Sequence, residues 1–160
     1  MADSSIKSGI QFESYKIDKV SLELVPEVGI LTKKNHSDCE IKYQFGFRDA
    51  MRFKKGDSVS YVTGLKVMLT IFDKKLNKDI ASGEFVITGV FSSTGELKKN
   101  IEETLIKVQA PTILFPYVRS AISMMLTTAG FSTIIMPLVN VAAIAKTLSI
   151  KIEDANMKTE

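Results

Sequence analysis

Cysteine and histidine each occur once, as Cys39 and His36, and tryptophan is absent. A single cysteine leaves no internal disulfide, which fits a reducing compartment. His36 stands three positions before Cys39 in the polar run KKNHSD. H-x-x-C offers half of the ligand set that a structural zinc takes, so the reading is a solvated loop histidine and no metal. The sequence also lacks G-x-x-x-x-G-K-[ST], a G-x-G-x-x-G turn and a G-x-S-x-G elbow, which removes the common phosphate cradles and the common activated serine. Glu102 and Glu103 near the start of a helical pattern read as acids favoured by the helix dipole, not as a catalytic pair. Neither enzyme chemistry nor a cofactor is expected.

Charge of one sign is scarce too. The 21 Lys and Arg are scattered among 18 Asp and Glu for a net charge of +3. Pairs such as Lys33-Lys34, Lys54-Lys55, Lys74-Lys75 and Lys98-Lys99 do not make the basic stripe that nucleic acid requires, so no nucleic-acid partner is expected. The opening MADSSIKSGIQ lacks the basic-then-apolar pattern of a secretory leader, and the expected location is the cytoplasm. Ser120 to Ala145 is free of charged side chains and long enough for a bilayer, which takes about 20 helical residues. A membrane-anchored or purely structural oligomer is therefore the competing reading. Gly130, Ser132, Thr133, Pro137 and Asn140 cut that run into pieces too short to span, so no stable membrane insertion is expected.

What the chain does have is a domain's worth of apolar sequence: 160 residues, 45% hydrophobic and 24% charged. That fits one domain over 1–160, with flexible ends at about 1–10 and 151–160. Cys39 to Phe53 alternates with period two, placing Cys39, Ile41, Tyr43, Phe45, Phe47, Met51 and Phe53 on one side and Glu40, Lys42, Gln44, Arg48 and Arg52 on the other. Asp49 intrudes there, as at a frayed end or bulge. A second strand is expected over Ser58 to Phe72, with Val59, Tyr61, Leu65, Val67, Leu69 and Ile71 in phase, and a third over Ile80 to Phe91, where Gly83 and Gly89 leave room for a close approach to the sheet. Phe12 to Val25 alternates with a slip near Asp18 and Lys19 and reads as a bent edge strand. Short connections make the sheet antiparallel with one apolar face that needs a cover.

The second half supplies it. Ile101, Leu105 and Val108 have helical spacing, and after Pro111 the stripe runs through Leu114, Tyr117, Val118, Ala121, Ile122, Met125 and Leu126 to a stop at Gly130. Pro111 and Pro116 place the start of the long helix near Pro111, with the preceding segment separate or bent. Asn140 reads as the N-cap of Val141 to Leu148. The expected fold is α+β: a four-stranded antiparallel sheet, then a long helix and a shorter C-terminal helix. Apolar surface is left over, with Phe115 and Met124 outside the main stripe and Phe131, Ile134, Ile135, Met136, Leu138 and Val139 in what should be a loop. Such a surplus fits an oligomer interface and an open groove, and methionine suits a groove that takes varied partners.

The stretch APTILFPYVRSAISMMLTTAGFSTIIMPLVNV resembles the helical half of the SecB family of export chaperones, through Pro111, Ile113, Leu114, Phe115, Pro116, Tyr117, Arg119, Gly130, Phe131, Pro137 and Asn140 in the family's order. The resemblance implies a cytoplasmic, ATP-independent chaperone that holds non-native polypeptides for the Sec pathway as a homotetramer, a dimer of dimers. It places Leu114, Tyr117, Val118, Ala121, Ile122 and Met125 in the oligomer packing. Ile30, Leu31, Phe131, Ile134, Ile135 and Leu138 would form the client groove, and Glu23 and Glu84 would meet the export motor SecA. Lys19 falls where that motor-facing surface would carry another acid. Together with the missing tryptophan and acidic tail, this leaves open a SecB-like chaperone dedicated to an antitoxin or other single client.

Overall fold

The computed structural model describes residues 9–26, 39–131, 139–147 and 149–155. One sheet is built from β1 (Ile10–Leu24), β2 (Cys39–Phe47), β3 (Ala50–Lys55), β4 (Ser58–Asp73), β5 (Lys78–Thr94) and β6 (Ile152–Asp154), and its order is β1-β5-β4-β3-β6 with β2 also paired to β4. β5 runs beside the whole of β4, so β2 and β3 share the other side of β4, β3 against its first residues and β2 against its last. All these pairs are antiparallel; β6 joins β3 in parallel. Helices lie on one face, which makes the fold α+β, as the sequence order of strands before helices requires.

The sheet has six strands among the described residues where the sequence pattern indicates four, for two reasons. The alternation read as one strand from Cys39 to Phe53 breaks at Arg48 and Asp49. Past that break the phase inverts: Ala50 and Arg52 turn toward the helices while Met51, opposite Val62, faces out. Asp49 is occupied elsewhere, its carboxylate accepting from the Lys151 N–H at 2.9 Å. That contact leads into the second addition, because Ile152–Asp154 forms a strand where a flexible end from about 151 was the sequence expectation. Ile150 is buried beside it.

β4 carries the pattern best. Val59, Tyr61, Leu65, Val67, Leu69 and Ile71 are all buried against the helices, and a buried side chain of this size contributes roughly 1.5 to 3 kcal/mol. β1 forms one edge of the sheet among the described residues, with register shifts between Phe12 and Ser14 and between Ile17 and Lys19; the second is the slip visible in the sequence.

The helical layer is one long rod with a seam. α1 (Lys99–Thr104) passes through a π-helical turn, Leu105–Gln109, directly into α2 (Ala110–Thr128). The sequence places a break before Pro111; the chain instead widens one turn and continues. Pro111 has no N–H to donate and its ring crowds the carbonyl of the preceding turn, and a π turn relieves both. The same turn corrects a drift, since Glu102, Ile106, Ala110, Leu114, Val118, Ile122 and Leu126 are buried at steps of four, and each such step overshoots one helical turn by about 40°. Ile101, expected on the inner stripe, is exposed as a result.

Gly130, at φ 97°, ends α2. The Gly130 N–H donates to Thr127 O and the Phe131 N–H to Leu126 O, a Schellman closure that brings Phe131 against Leu126, both buried. α3 (Val141–Ala145) is capped by Asn140, whose side chain accepts from the Ala143 N–H at 3.0 Å, as expected, although the helix is shorter than Val141 to Leu148.

Candidate functional site

Helix α2 covers the middle of the sheet and leaves its flanks half open, and the LFPY stretch shows how. Leu114 points down onto Gly89. Phe115 leans toward β2, with its ring 6.0 Å from Phe45. Tyr117 leans the other way, 4.2 Å from Tyr15 and 5.8 Å from Phe12, which in turn lies 5.1 Å from Phe91. One turn of helix therefore serves the sheet centre and both of its flanks.

On the β1 flank Tyr15 and Tyr117 are 42% and 37% exposed, so the aromatic cluster has an open side. On the β2 flank the inward side chains Ile41, Tyr43, Phe45 and Phe47 are half-buried against the core. Among the described residues β2 pairs only with β4, which leaves the outward edge of Ile41–Phe47 without a strand partner. Tyr43 Oη is buried and has no hydrogen-bond partner among the described residues. Burial pushes its phenol up to about 12, with the Arg119 charge pulling against it. Among the described residues this flank joins a half-covered aromatic wall to a strand edge and a buried hydroxyl without partners, elements by which an extended polypeptide adds to a sheet. No group of three or more metal-ligating side chains comes together among the described residues.

A second polar cluster lies at the start of the helical layer. Arg52 donates to Glu102 at 2.5 Å and to Asp154 at 2.7 Å, and Tyr61 also hydrogen-bonds to Glu102. Glu102, read from the sequence as a dipole-favoured acid, is buried and paired instead. Burial, and then the Glu102 bond, raise the Tyr61 phenol; the Arg52 bond holds the Asp154 carboxyl low. The cluster fastens β3, β4, α1 and β6 to one another.

The residues that the resemblance singles out fall into three groups. Leu114, Val118 and Ile122 are buried under the chain's own sheet, Ala121 and Met125 are half-buried, and Tyr117 is exposed. Ile113 and Met124, the latter 68% exposed, share the outward side of α2 with Tyr117; Met124 belongs to the surplus apolar surface legible in the sequence, whereas Ile113, four residues before Tyr117, was not singled out for an interface. Phe131 is buried; Ile30, Leu31, Ile134, Ile135 and Leu138 lie outside the described residues. Glu23 is exposed on the outer sheet face opposite Ser82. Glu84 is on that face too, its two oxygens held by Lys19 at 3.0 Å and Lys66 at 2.8 Å. The aromatic pair Tyr43 and Phe45 was read only as strand interior.

Among the described residues, a six-stranded sheet with a long helix on one face defines an α+β fold. No helix among the described residues is long and apolar enough to cross a membrane. The sequence matches the family model of the preprotein translocase subunit SecB over residues 5–148. The chain belongs to the SecB family, a family of chaperones. No curated protein matches it. Among solved structures it is similar to the Mycobacterium tuberculosis SecB-like chaperone Rv1957 in complex with a ChAD peptide from the HigA1 antitoxin, Rv1956. The TM-score is 0.55 at 12% identity, covering 81% of this chain and 90% of that one. At that identity the likeness is one of fold.

Proposed function

We propose that the chain is an ATP-independent holding chaperone of the cytoplasm that binds non-native polypeptides in extended form along β2 and keeps them soluble for export by the Sec pathway. The half-covered inner side of Ile41–Phe47 beside an outward edge with no strand partner among the described residues is the observation that carries this reading. An added segment would bond its backbone to that edge and bury alternate side chains against Phe45 and Phe115, with Tyr43 Oη as a donor to a client carbonyl. Ile30, Leu31, Phe131, Ile134, Ile135 and Leu138 belong to the same groove in this reading. The outward stripe of α2 around Tyr117 supports the homotetrameric dimer of dimers.

Handover to SecA through Glu23 and Glu84 is the finer form of the proposal, and it requires the motor to displace Lys19 and Lys66 from Glu84. A second form, a chaperone dedicated to one client such as an antitoxin, draws support from the two lysines on Glu84 and from the antitoxin peptide held by the similar fold. Dilution of a urea-unfolded client into stoichiometric protein, without nucleotide or detergent, tests the shared core. Suppressed light scattering and a particle of about four times 17.7 kDa are expected; unsuppressed aggregation, or a monomer, would sink it. A pull-down from the native cell then separates the two forms, by SecA with several precursors or by one client alone.

A further inference from the structure

The outer face of the sheet, away from the helices, holds a hollow of about 480 Å³ lined by Asp18, Lys19, Gly46, Arg48, Lys66 and Glu84, together with Phe47 of β2 and Val86 of β5. Val86, nearly buried, stands between Lys19 and Lys66 in the strand register and gives the hollow an apolar floor. Three cations face two carboxylates there. Glu84 is the recessed one, its side chain 26% exposed, whereas Asp18 and Lys66 are 35% and 40% exposed and Lys19 and Arg48 reach 54% and 64%. Both Glu84 oxygens are already taken, and Asp18 is engaged by Arg48 at 3.9 Å and by the Thr88 hydroxyl. Lys16, opposite Thr88 on the same face, adds a fourth exposed cation. Two further carboxylates stand along β1 on either side: Glu23 beyond Ser21, opposite Ser82, and Glu13, which accepts from the Ser92 hydroxyl.

We propose that this hollow is a docking surface for an acidic peptide segment of a partner protein. A basic module would have to displace two lysines to reach Glu84, while an incoming carboxylate meets the outward ends of Lys19, Arg48 and Lys66 directly. Charge complementarity of this kind steers and selects a partner more than it sets raw affinity. Nucleic acid fits less well, because the two carboxylates dilute the positive field and Phe47, the aromatic residue lining the hollow, packs against the core and offers bases no platform. The binding is electrostatic and exposed, so it weakens as salt rises to about 0.15 M, where the screening length is about 8 Å.

The test is fluorescence anisotropy at low salt with the full chain and three labelled probes: a Glu decamer, a Lys decamer and an oligothymidine. The Glu decamer should bind about tenfold tighter than either other probe. Lys19→Gln with Lys66→Gln should weaken it about tenfold, whereas Lys74→Gln with Lys75→Gln in the β4–β5 turn should leave it unchanged. Thermal unfolding of each variant confirms that the fold is retained, and Arg48→Gln serves as a second variant that leaves the Glu84 pairs intact. Equal or tighter binding of the Lys decamer or the oligothymidine, or Glu-decamer binding insensitive to Lys19, Lys66 and Arg48, would overturn the assignment.

Discussion

Gly89 of β5 lies directly beneath Leu114 of α2: a Cβ at position 89 would sit 2.6 Å from Leu114 Cδ2 and 3.0 Å from Phe91 Cε2. The missing side chain lets the long helix rest on the sheet. Leu114 is buried and has little room to move, so Gly89→Ala should cost about 1 kcal/mol and Gly89→Val about 3 kcal/mol, the range for overpacked cores. Urea unfolding of the variants measures it, and a neutral Gly89→Val would show that the helix does not need this contact.

The Arg52–Glu102 pair separates two kinds of loss. Arg52→Met strands Glu102 as a buried carboxylate and should cost about 3 to 5 kcal/mol. Replacing both residues by apolar ones, Arg52→Met with Glu102→Leu, should recover most of that, since the removal of both charges also removes their desolvation. A double-mutant cycle by urea unfolding gives the coupling; additive losses would deny it.

Tyr43 makes stability and binding move in opposite directions. Its buried hydroxyl has no partner among the described residues, so Tyr43→Phe should leave stability unchanged or slightly higher, while affinity for an unfolded client falls a few-fold. The phenol is pushed up to about 12 from its ordinary value of 10.0, so the unfolded chain gives up this proton first as pH rises. The stability it contributes is complete below about pH 10 and is lost as pH climbs through about 12. Alkaline urea titrations should show a shallower fall for Tyr43→Phe than for the wild type; identical profiles would count against a buried phenol.

Tyr117 tests the assembly. It packs against Tyr15 in a tilted ring pair at the open β1 flank, and Tyr117→Asp places a carboxylate in an aromatic surface at a cost of several kcal/mol once that surface is covered. Light scattering on a sizing column should report a smaller particle, with unfolding of the single chain little changed. An intact tetramer would move the interface elsewhere.

Much of the fold is legible in the sequence because it rests on periodicity: β4, β5, the slip in β1, the Gly130 stop and the Asn140 cap follow from local chemistry. Arg48 and Asp49 are where that reasoning loses the thread, since alternation past them looks unbroken and only the pairing of Arg52 with Glu102, 50 residues away, explains why the phase inverts. Ile152–Asp154 is too short and too charged to read as a strand without β3 beside it. For the site, surplus apolar residues on α2 are visible in sequence, and so is the aromatic run Tyr43-Phe45-Phe47. That the run lies beside Phe115 at a strand edge is a tertiary fact, as is the clamp of Lys19 and Lys66 on Glu84.

The central claim is that non-native chain is held along β2. Hydrogen exchange of the backbone amides, with and without a urea-unfolded client at saturating concentration, tests it most directly. Exchange should slow over Ile41–Phe47 and over the facing segment around Phe115, while the β1–β5 ladder and the outer-face hollow keep their rates. A complex demonstrated by sizing that leaves Ile41–Phe47 unprotected would contradict the account.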